Sequence, residues 1–569
     1  MSTREFQSEI IILSQEIADL GSGDASVVVT KLLNLLERMA ERINAIETEK
    51  QQLRDEINRL KGEQGKPEIK ASKKKNRDIS SEAERKEAEA KANENTEERT
   101  AATGNKTRQR EPKLPKINID REQICSLNKE GLPEDIEFKG YEPVVIQDLI
   151  IRTDNVKYLR EVYYSPSQRK SYLGELPDEV RGQGEYGPGV RTLIPVLKTE
   201  GNMSEKRILG LFQNFGIKMS AAYISQQWTG GYEVFHQEKS DLYRAGLASS
   251  DFSQIDDTSA RVNGTNQYCH IVCNPLFTAY FTREHKNRLS VLSVLTDGAP
   301  LSYLYNQHAS LLLDTFNLFG KARDAVNATL PRDEVMNEKE FKAHLALIDN
   351  LGVRQSAHLA EACAIAYYHQ QTDFPIIKTL LADDAPQFKL LTEYMALCWI
   401  HDGRHYKKLS PIVPLYQSVL TDFRSQYWAY YCELLKYKLE PNAEKKNELS
   451  AQFDALFSTT TDYQDLNDRI AKTLAKKTEL LRVLEMPQLP LHNNDSELGA
   501  RAQARSRDVC FQTRSNKGTL IKDSFMTINQ TAKKLGVCFY DYVFDRVIGS
   551  FKLPSLANLI TLKAQQSLV

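Results

Sequence analysis

Long hydrophobic runs are missing from this sequence. No apolar stretch reaches about 18 residues, the length that a membrane-spanning helix requires. The first residues also lack the pattern of a secretory signal peptide, in which a charged start precedes an apolar segment. We therefore expect no membrane contact and no leader, and we predict a cytoplasmic protein.

The sequence also lacks an excess of charge of either sign. Lysine and arginine together number 75, aspartate and glutamate 76, and the net charge is -1. Composition therefore does not indicate a nucleic-acid-binding protein. Any basic surface that contacts a phosphate backbone has to be local.

Paired cysteines are the third absence. The eight cysteines are scattered and none forms a CxxC pair, which argues against a cysteine-rich zinc site and against a disulfide framework. This distribution is typical of a reducing cytoplasm. Cys269 and Cys273 fall on one face of a predicted strand, where core packing is the expected role.

With 569 residues the chain can form several domains.

The first pattern that the sequence does contain is a heptad repeat at 27–61. Apolar residues spaced three and four apart over more than four heptads predict a left-handed coiled coil, with a lone amphipathic surface helix as the alternative. A lysine within the seam favours a low oligomer with one register. The seam consists of Leu32, Leu36, Met39, Ile43, Ile46, Lys50, Leu53, Ile57 and Leu60.

Two weaker patterns surround the coiled coil. A short helix is predicted at 6–20, and the residues from Lys61 to about Lys113 have too few large apolar side chains to fold, so they are predicted to form a flexible linker. A small β unit follows, with strands at 144–151 and 158–164.

Residues 204–228 show a helix, a turn with Gly216 and a second helix. This is the helix-turn-helix pattern, whose second helix can enter a major groove, although an ordinary helical hairpin is an alternative. Ser204 and Ser220 are the expected N-caps. The polar candidates for DNA contacts are Lys218, Ser220, Ser225, Gln226 and Gln227.

The most informative stretch, 251–284, predicts three strands in a meander, with a hairpin turn at Asn263-Gly264. Its first strand carries Asp256 and Asp257. Carboxylates at the edge of a buried hairpin cost free energy unless they are paired, hydrogen-bonded or bind a cation. Adjacent strand residues point to opposite faces, so only one of the two aspartates can face a shared site.

Two further acidic groups interrupt apolar elements. The buried-strand pattern at 376–381 runs into Asp383 and Asp384, and a helix near the C-terminus places Glu497 in its first turn and Arg501 one turn later. Either Asn494 or Asp495 is the expected cap of that helix. Three acids from distant parts of the chain are what two divalent ions need, and nearby basic residues indicate a phosphodiester substrate.

These motifs resemble those of the large transposases of the insertion-sequence-66 type, DDE transposases with a ribonuclease-H-like catalytic core. The first family motif is matched by Asp256, Asp257 and Thr258. The second is matched by Asp384, Cys398, Trp399, His401 and Arg404, and the third by Asn493, Asn494, Glu497 and Arg501.

The sequence departs from the family in three places. The β unit lacks the paired cysteines of the family's zinc-binding unit, so we predict that it folds without metal. Leu498 stands where many relatives carry arginine. Asp297 imitates the second motif but follows a predicted helix and lacks the Cys-Trp-x-His sequel, so it is not assigned to the site.

The resemblance implies a DNA transposase of a bacterial insertion sequence. Asp256, Asp384 and Glu497 would bind two Mg²⁺ ions, which Mn²⁺ could replace, for strand cleavage and strand transfer. DNA-binding roles are expected for Lys218, Ser220, Gln226, Gln227, His401, Arg404, Arg501 and Arg505, and supporting roles for Asp257, Asn493 and Asn494.

The implied partners are the element's terminal repeats, target DNA, a second or further copy of the chain through the coiled coil, and accessory proteins of the same element. When bound to DNA, the protein would associate with the nucleoid. The alternatives are a catalytically inactive, transposase-derived coiled-coil DNA-binding protein and a metal-dependent nuclease without strand transfer.

The expected fold class is a multidomain α/β protein with a large helical content. The predicted segments are a leucine zipper at 1–62, a linker at 63–115, a β unit at 116–180, a helix-turn-helix at 181–232, catalytic-core segments at 245–299 and 376–411, helical insertions at 300–375 and 412–487, and a C-terminal catalytic segment at 488–569.

Overall fold

The computed structural model describes residues 24–60, 119–128, 139–177, 185–349 and 351–566. Within these ranges the chain is mixed α/β and largely helical, with one five-stranded mixed sheet. The α/β class with a large helical content is therefore confirmed. The predicted helix at 6–20 and the whole of the predicted linker lie outside the described residues.

One long helix, α1, runs over Asp24–Leu60 and confirms the helix predicted from the heptad pattern. Further along, the predicted strand at 144–151 is wrong: this segment is irregular, and its apolar side chains are exposed. A hairpin forms instead between β1 (Val162–Ser165) and β2 (Lys170–Leu173). The turn that contains Pro166 closes this hairpin locally, because proline presets the backbone angle that a tight turn needs.

Among the described residues, four helices lie between the β1–β2 hairpin and the main sheet. The two helices predicted at 204–228 are confirmed, with Gly216 at a φ of 82° between them. The Ser220 side chain accepts a hydrogen bond from the backbone N–H of Tyr223 at 3.2 Å, while Ser204 occupies the cap position without such a bond. The helices are α2 (Pro188–Thr199), α3 (Glu205–Asn214), α4 (Ala221–Gly230) and α5 (Val234–Ala248).

The predicted meander is confirmed as three antiparallel strands, β3 (Phe252–Val262), β4 (Thr265–Asn274) and β5 (Phe277–Arg283). Asn263 and Gly264 form the first turn with φ values of 46° and 80°. Both values lie in the left-handed region, which Asn-Gly adopts readily in two-residue hairpins.

The segment predicted to be helical throughout 300–375 also contains two short strands, which pair with each other. Tyr303, in the first strand, is buried and its ring stacks on that of Phe341. The elements here are α6 (Arg288–Leu295), β6 (Ser302–Leu304), α7 (Gln307–Thr315), α8 (Gly320–Thr329), β7 (Val335–Asn337), α9 (Glu338–Ala346) and α10 (Val353–Gln370).

Two parallel strands complete the main sheet. β8 (Thr379–Ala382) pairs with β3, and β9 (Tyr394–Leu397) pairs with β8, so the strand order is β5-β4-β3-β8-β9. From the sequence, Pro386 and Gln387 are expected to open a helix that leads towards Leu397, and this prediction is wrong. Only a single 3₁₀ turn forms at Pro386–Phe388, and the chain then extends to pair with β8.

The helices predicted at 412–487 are confirmed, and this segment, which we call the helical insertion, surrounds a second, aromatic-rich core that includes Trp399. The first half of α1 packs on this insertion through Leu33 and Glu37. Because the Glu37 carboxylate accepts the backbone N–H of Ile412 at 2.6 Å, it fixes α1 to the start of the insertion. The helices are α11 (Trp399–Lys408), α12 (Pro414–Leu439), α13 (Ala443–Phe457), α14 (Gln464–Leu474) and α15 (Lys477–Leu480), followed by a 3₁₀ turn at Leu481–Leu484.

Four helices end the described chain: α16 (Asn494–Cys510), α17 (Asn516–Leu535), α18 (Phe539–Val547) and α19 (Leu556–Gln566). The sequence from Phe525 to Val547 predicts one helix, but the structure divides it at Gly536, where φ is 74°. Side chains of α17 accept backbone N–H groups along the outer edge of β5, and this covers an edge that could otherwise pair with another strand. None of the helices in the described ranges is long and apolar enough to cross a membrane.

Candidate functional site

The site is centred on two aspartates that adjacent parallel strands bring side by side. The pairing of β3 with β8 places Gln254 opposite Leu381. Continued by two residues past the end of β8, the same register would bring Asp383 beside Asp256, and the charge of Asp383 does raise the pKa of Asp256. Because paired residues of parallel strands share a face, as do residues two apart along a strand, we expect both carboxyl groups on the same side of the sheet.

Both carboxyl groups hold a proton more tightly than ordinary aspartates do. Burial, reinforced by the charge of Asp383, raises the pKa of Asp256 to about 7, against a hydrogen bond of 2.7 Å from the backbone N–H of Asp257. Burial likewise raises the pKa of Asp383, and the charge of Asp257 adds to this, although the carboxylate accepts the backbone N–H of Ala385 at 3.1 Å. Two buried acids of this kind become fully ionised at neutral pH only when a cation compensates their charge.

Asp257 belongs to the opposite face and is already compensated. Its two carboxylate oxygens accept hydrogen bonds of 2.7 Å from Lys286 Nζ and from Gln387 Nε2. These bonds tie the central strand to the segments that follow β5 and β8. The supporting role expected of Asp257 stays a prediction.

Asp384 does not join Asp256. Its carboxylate pairs with Lys389, at 2.6 Å, and with Lys476. Burial raises the pKa of Asp384, but the hydrogen bonds from the two lysines outweigh it and lower the pKa overall. The structure thus brings Asp383, rather than the expected Asp384, to the position beside Asp256.

The third acid, Glu497, is buried in the first turn of α16, as expected from the sequence. Its carboxylate lies 3.5 Å from His401 Nδ1 and 3.9 Å from Arg404 Nη1. Among the described residues, one group of three metal-ligating side chains has its ligand atoms all within 4.8 Å of one another: Cys398, His401 and Glu497.

The helix that carries Glu497 crosses the same face of the sheet as Asp256. Gly499 makes this crossing possible, because a Cβ there would lie 2.8 Å from Ile271 Cγ2, and its carbonyl accepts the Tyr280 hydroxyl at 3.1 Å. Burial raises the pKa of the Cys273 thiol to about 12, and the carboxylates of Asp495 and Asp256 both add to this effect. The first turn of α16 and Asp256 therefore approach the same buried thiol.

The two asparagines of the third motif lie inside the protein. Asn493 precedes α16, and its carbonyl accepts the backbone N–H of Glu497 at 3.1 Å and the Ser496 hydroxyl at 2.8 Å. Asn493 thus occupies the cap position in place of the predicted Asn494 or Asp495, although its side chain makes no capping hydrogen bond.

Comparison of the sequence with known proteins places the chain in a family. No protein-family model matches the chain. The chain is similar to a protein of Sinorhizobium fredii (strain NBRC 101917 / NGR234) called "Uncharacterized protein y4jO", with 30% identity over 329 residues, which is 57% of this chain and 100% of that protein. The chain belongs to the y4jO family. Because the name y4jO states no activity, the function has to be argued from the site itself.

The expected DNA-contacting residues of this y4jO relative differ in exposure. Lys218, Ser220 and Gln226 are exposed, whereas Gln227 is half-buried against Gly231. Arg505 is exposed on α16, and Arg501 is half-buried one turn earlier. His401 and Arg404 contact each other at 3.2 Å between Nε2 and Nη1, beside Glu497.

Sequence reasoning assigned no role to Lys286, Gln387 and Lys476, which bind the aspartates that flank the site. Lys476 lies far along the chain from its partner Asp384, and no local pattern indicates such a contact. Asp383 could have been found from the sequence if the register of β8 against β3 had been known, because strand alternation then places it, and not Asp384, on the face of Asp256.

Proposed function

We propose that this y4jO relative is a DNA transposase of the DDE type, with Asp256, Asp383 and Glu497 as its acidic triad. The observation that carries the proposal is the placement of Asp256 on the central strand, beside Asp383, on the face that the Glu497 helix crosses. An antiparallel meander followed by two parallel strands is also what a ribonuclease-H-like core requires, so the strand order β5-β4-β3-β8-β9 supports that finer assignment.

The residues of the site fit divalent cations with oxygen ligands. Asp256 and Asp383 would hold Mg²⁺ between them, with Glu497 as a further ligand, because burial makes their ionised forms costly unless a cation is present. Two Mg²⁺ ions, when bound, would activate the attacking oxygen and stabilise the leaving oxygen of a phosphodiester. Lys286 and Gln387 would keep Asp257 fixed and so hold the central strand in place.

Basic side chains beside the acids would position DNA. Arg404, with His401, would keep the Glu497 carboxylate oriented, while Arg501 and Arg505 lie further along the same helix and would contact phosphates. The pair α3 and α4 is the proposed reader of the element ends. Its polar side chains at Lys218 and Gln226 are exposed.

A direct experiment tests the activity. The purified chain is incubated with DNA that flanks its gene, with Mg²⁺ or with a chelator, and the products are separated by size. Metal-dependent nicks at fixed positions, followed by joined products, are expected. Cleavage without joining indicates a nuclease, and end-specific binding without cleavage indicates an inactive, transposase-derived DNA-binding protein.

Recognition by α4 gives a second prediction. Gln226→Ala should weaken binding to the element ends about tenfold, because a bidentate base contact contributes about 1–3 kcal/mol of discrimination. Affinity for unrelated DNA of the same length should be unchanged, as measured by fluorescence anisotropy at fixed salt. An equal loss on both DNAs would contradict a base-reading role for Gln226.

The exposed part of the heptad seam gives a third prediction. Leu36 packs on the helical insertion, but Met39, Ile43, Ile46, Leu53 and Ile57 remain exposed. We propose that these side chains pair with the same helix of a second copy, which would hold two DNA ends together.

Leu53→Lys should therefore weaken self-association at least about tenfold, since it places a charge in the seam. Gln52→Lys is the matched control, because the adjacent exposed residue lies outside the seam and receives the same side chain. Sedimentation velocity over a concentration series measures both. Equal association of the two variants would show that the seam does not form the dimer.

A further inference from the structure

Cys398, His401 and Glu497 form a cluster whose chemistry differs from that of the two aspartates. One sulfur, one imidazole nitrogen and one carboxylate oxygen lie within 4.8 Å of one another. Mg²⁺ prefers hard oxygen ligands, whereas thiolate and imidazole select zinc-like transition metals. The cluster is therefore the wrong donor set for Mg²⁺ and a suitable one for Zn²⁺.

The backbone holds Cys398 in a position suited to a metal-bound thiolate. Cys398 directly precedes α11 and occupies its N-cap position. The backbone N–H groups of Ile400, His401 and Asn493 donate to its sulfur. The sulfur therefore lies where the start of α11 meets the residue that precedes α16, the helix that carries Glu497.

The other two ligands come from elements that the fold already fixes. Glu497 is buried in the first turn of α16, and His401 lies in the first turn of α11 with about a quarter of its side chain, 27%, exposed. Two buried ligands and one at the surface leave an opening towards solvent. Three protein ligands with an open fourth position are an arrangement that zinc accepts.

We propose that Cys398, His401 and Glu497 bind one Zn²⁺ or similar soft divalent cation, and that this cation competes with Mg²⁺ for Glu497. The competition rests on the proposed function, in which Glu497 is a ligand for Mg²⁺. The binding itself rests only on the cluster. Zn²⁺ would therefore inhibit Mg²⁺-dependent cleavage by withdrawing the third acid.

Co²⁺ titration of the full chain tests the binding, because a thiolate–Co²⁺ bond has its own charge-transfer absorption. One Co²⁺ per chain is expected to give that absorption, and Zn²⁺ should displace it. Cys398→Ser should remove the absorption and raise the Zn²⁺ dissociation constant more than about 100-fold, since even residues behind the ligands contribute about 10–100-fold. Cys363→Ser is the matched control, because that cysteine is also buried but lies in α10.

His401→Ala provides a second variant in case the buried serine disturbs folding, which circular dichroism without metal would reveal. An unchanged Co²⁺ spectrum in a folded Cys398 or His401 variant overturns the site. Cleavage that is insensitive to bound Zn²⁺ overturns the competition for Glu497. A chain that binds Co²⁺ through Cys398 but never cleaves DNA supports the metal site while the proposed transposase activity fails.

Discussion

Asp383→Asn is expected to lower the rate of Mg²⁺-dependent DNA cleavage at least about 1000-fold. The carboxylate beside Asp256 is the proposed metal ligand, and a catalytic cation contributes several kcal/mol to the transition state, while each 1.36 kcal/mol is worth about a factor of ten. Single-turnover cleavage of end-containing DNA measures the effect. The asparagine keeps the side-chain volume and can still accept the Ala385 N–H, so the fold should persist.

Asp384→Asn is the control that the chain itself provides. The substitution is the same and the residue is adjacent, but its carboxylate is bound by Lys389 and Lys476. We expect this variant to keep most of the cleavage rate, with a small loss of stability from the two weakened ion pairs. The reverse result, a silent Asp383 variant and an inactive Asp384 variant, would return the role to Asp384.

Asp383 and Asp384 also show which part of the site the sequence could predict and which part it could not. Hydrophobic alternation and the Asn-Gly turn were enough to predict the meander, because both are local signals. The same reasoning found an apolar strand that ends in two aspartates. It could not decide between Asp383 and Asp384, since the decision depends on the register of β8 against β3, two strands that are far apart in the sequence.

Other differences have the same origin. The strand β9 is only four residues long, and its side chains Tyr394 and Met395 fit a helix as well as a strand until β8 lies beside them. Glu37 reads as an exposed polar position of a heptad helix, yet its carboxylate is buried at the start of the helical insertion. Contacts between distant segments decide both cases.

Local signals also explain why the start of the helix that carries Glu497 could be predicted from the sequence. The helix start after Asn493, with Glu497 in its first turn, depends on contacts within a few residues, since the Asn493 carbonyl accepts the Glu497 N–H and the Ser496 hydroxyl. The convergence of that helix on the Asp256 face depends on Gly499, where the absence of a Cβ lets α16 lie close to Ile271. A glycine within a helix is visible in the sequence, but the neighbour that requires it is not.

Asp256→Asn is expected to stabilise the metal-free protein, and to do so only above acidic pH. In the folded state burial raises the pKa of Asp256 to about 7 from 3.8, so the native protein holds a proton that the unfolded chain releases. Because the unfolded state binds fewer protons between these two values, the free energy of unfolding of the wild type falls as pH rises from about 4 to about 7. Asparagine does not ionise and avoids this loss.

The expected gain in the free energy of unfolding is about 2–4 kcal/mol at pH 8 and close to zero near pH 4, because a tenfold difference in proton affinity between the folded and unfolded states corresponds to about 1.36 kcal/mol. Urea unfolding in the presence of a chelator measures both values. Asp257→Asn is the control: it removes a carboxylate that Lys286 and Gln387 already compensate, so it should not stabilise. A difference between wild type and Asp256→Asn that does not change with pH would show that Asp256 is not the group that titrates.

The same unfolding experiment, repeated with Mg²⁺, tests whether Asp256 binds the metal. A cation that binds only the folded state stabilises it by mass action, and it must first displace the proton from Asp256. Saturating Mg²⁺ should therefore raise the free energy of unfolding of the wild type at pH 8 more than at pH 6, and should have little effect on Asp256→Asn. Asp256→Asn would thus stabilise the metal-free protein and also remove the stabilisation by Mg²⁺. Both effects have one cause, because the bound cation offsets the unfavourable burial of two adjacent acids.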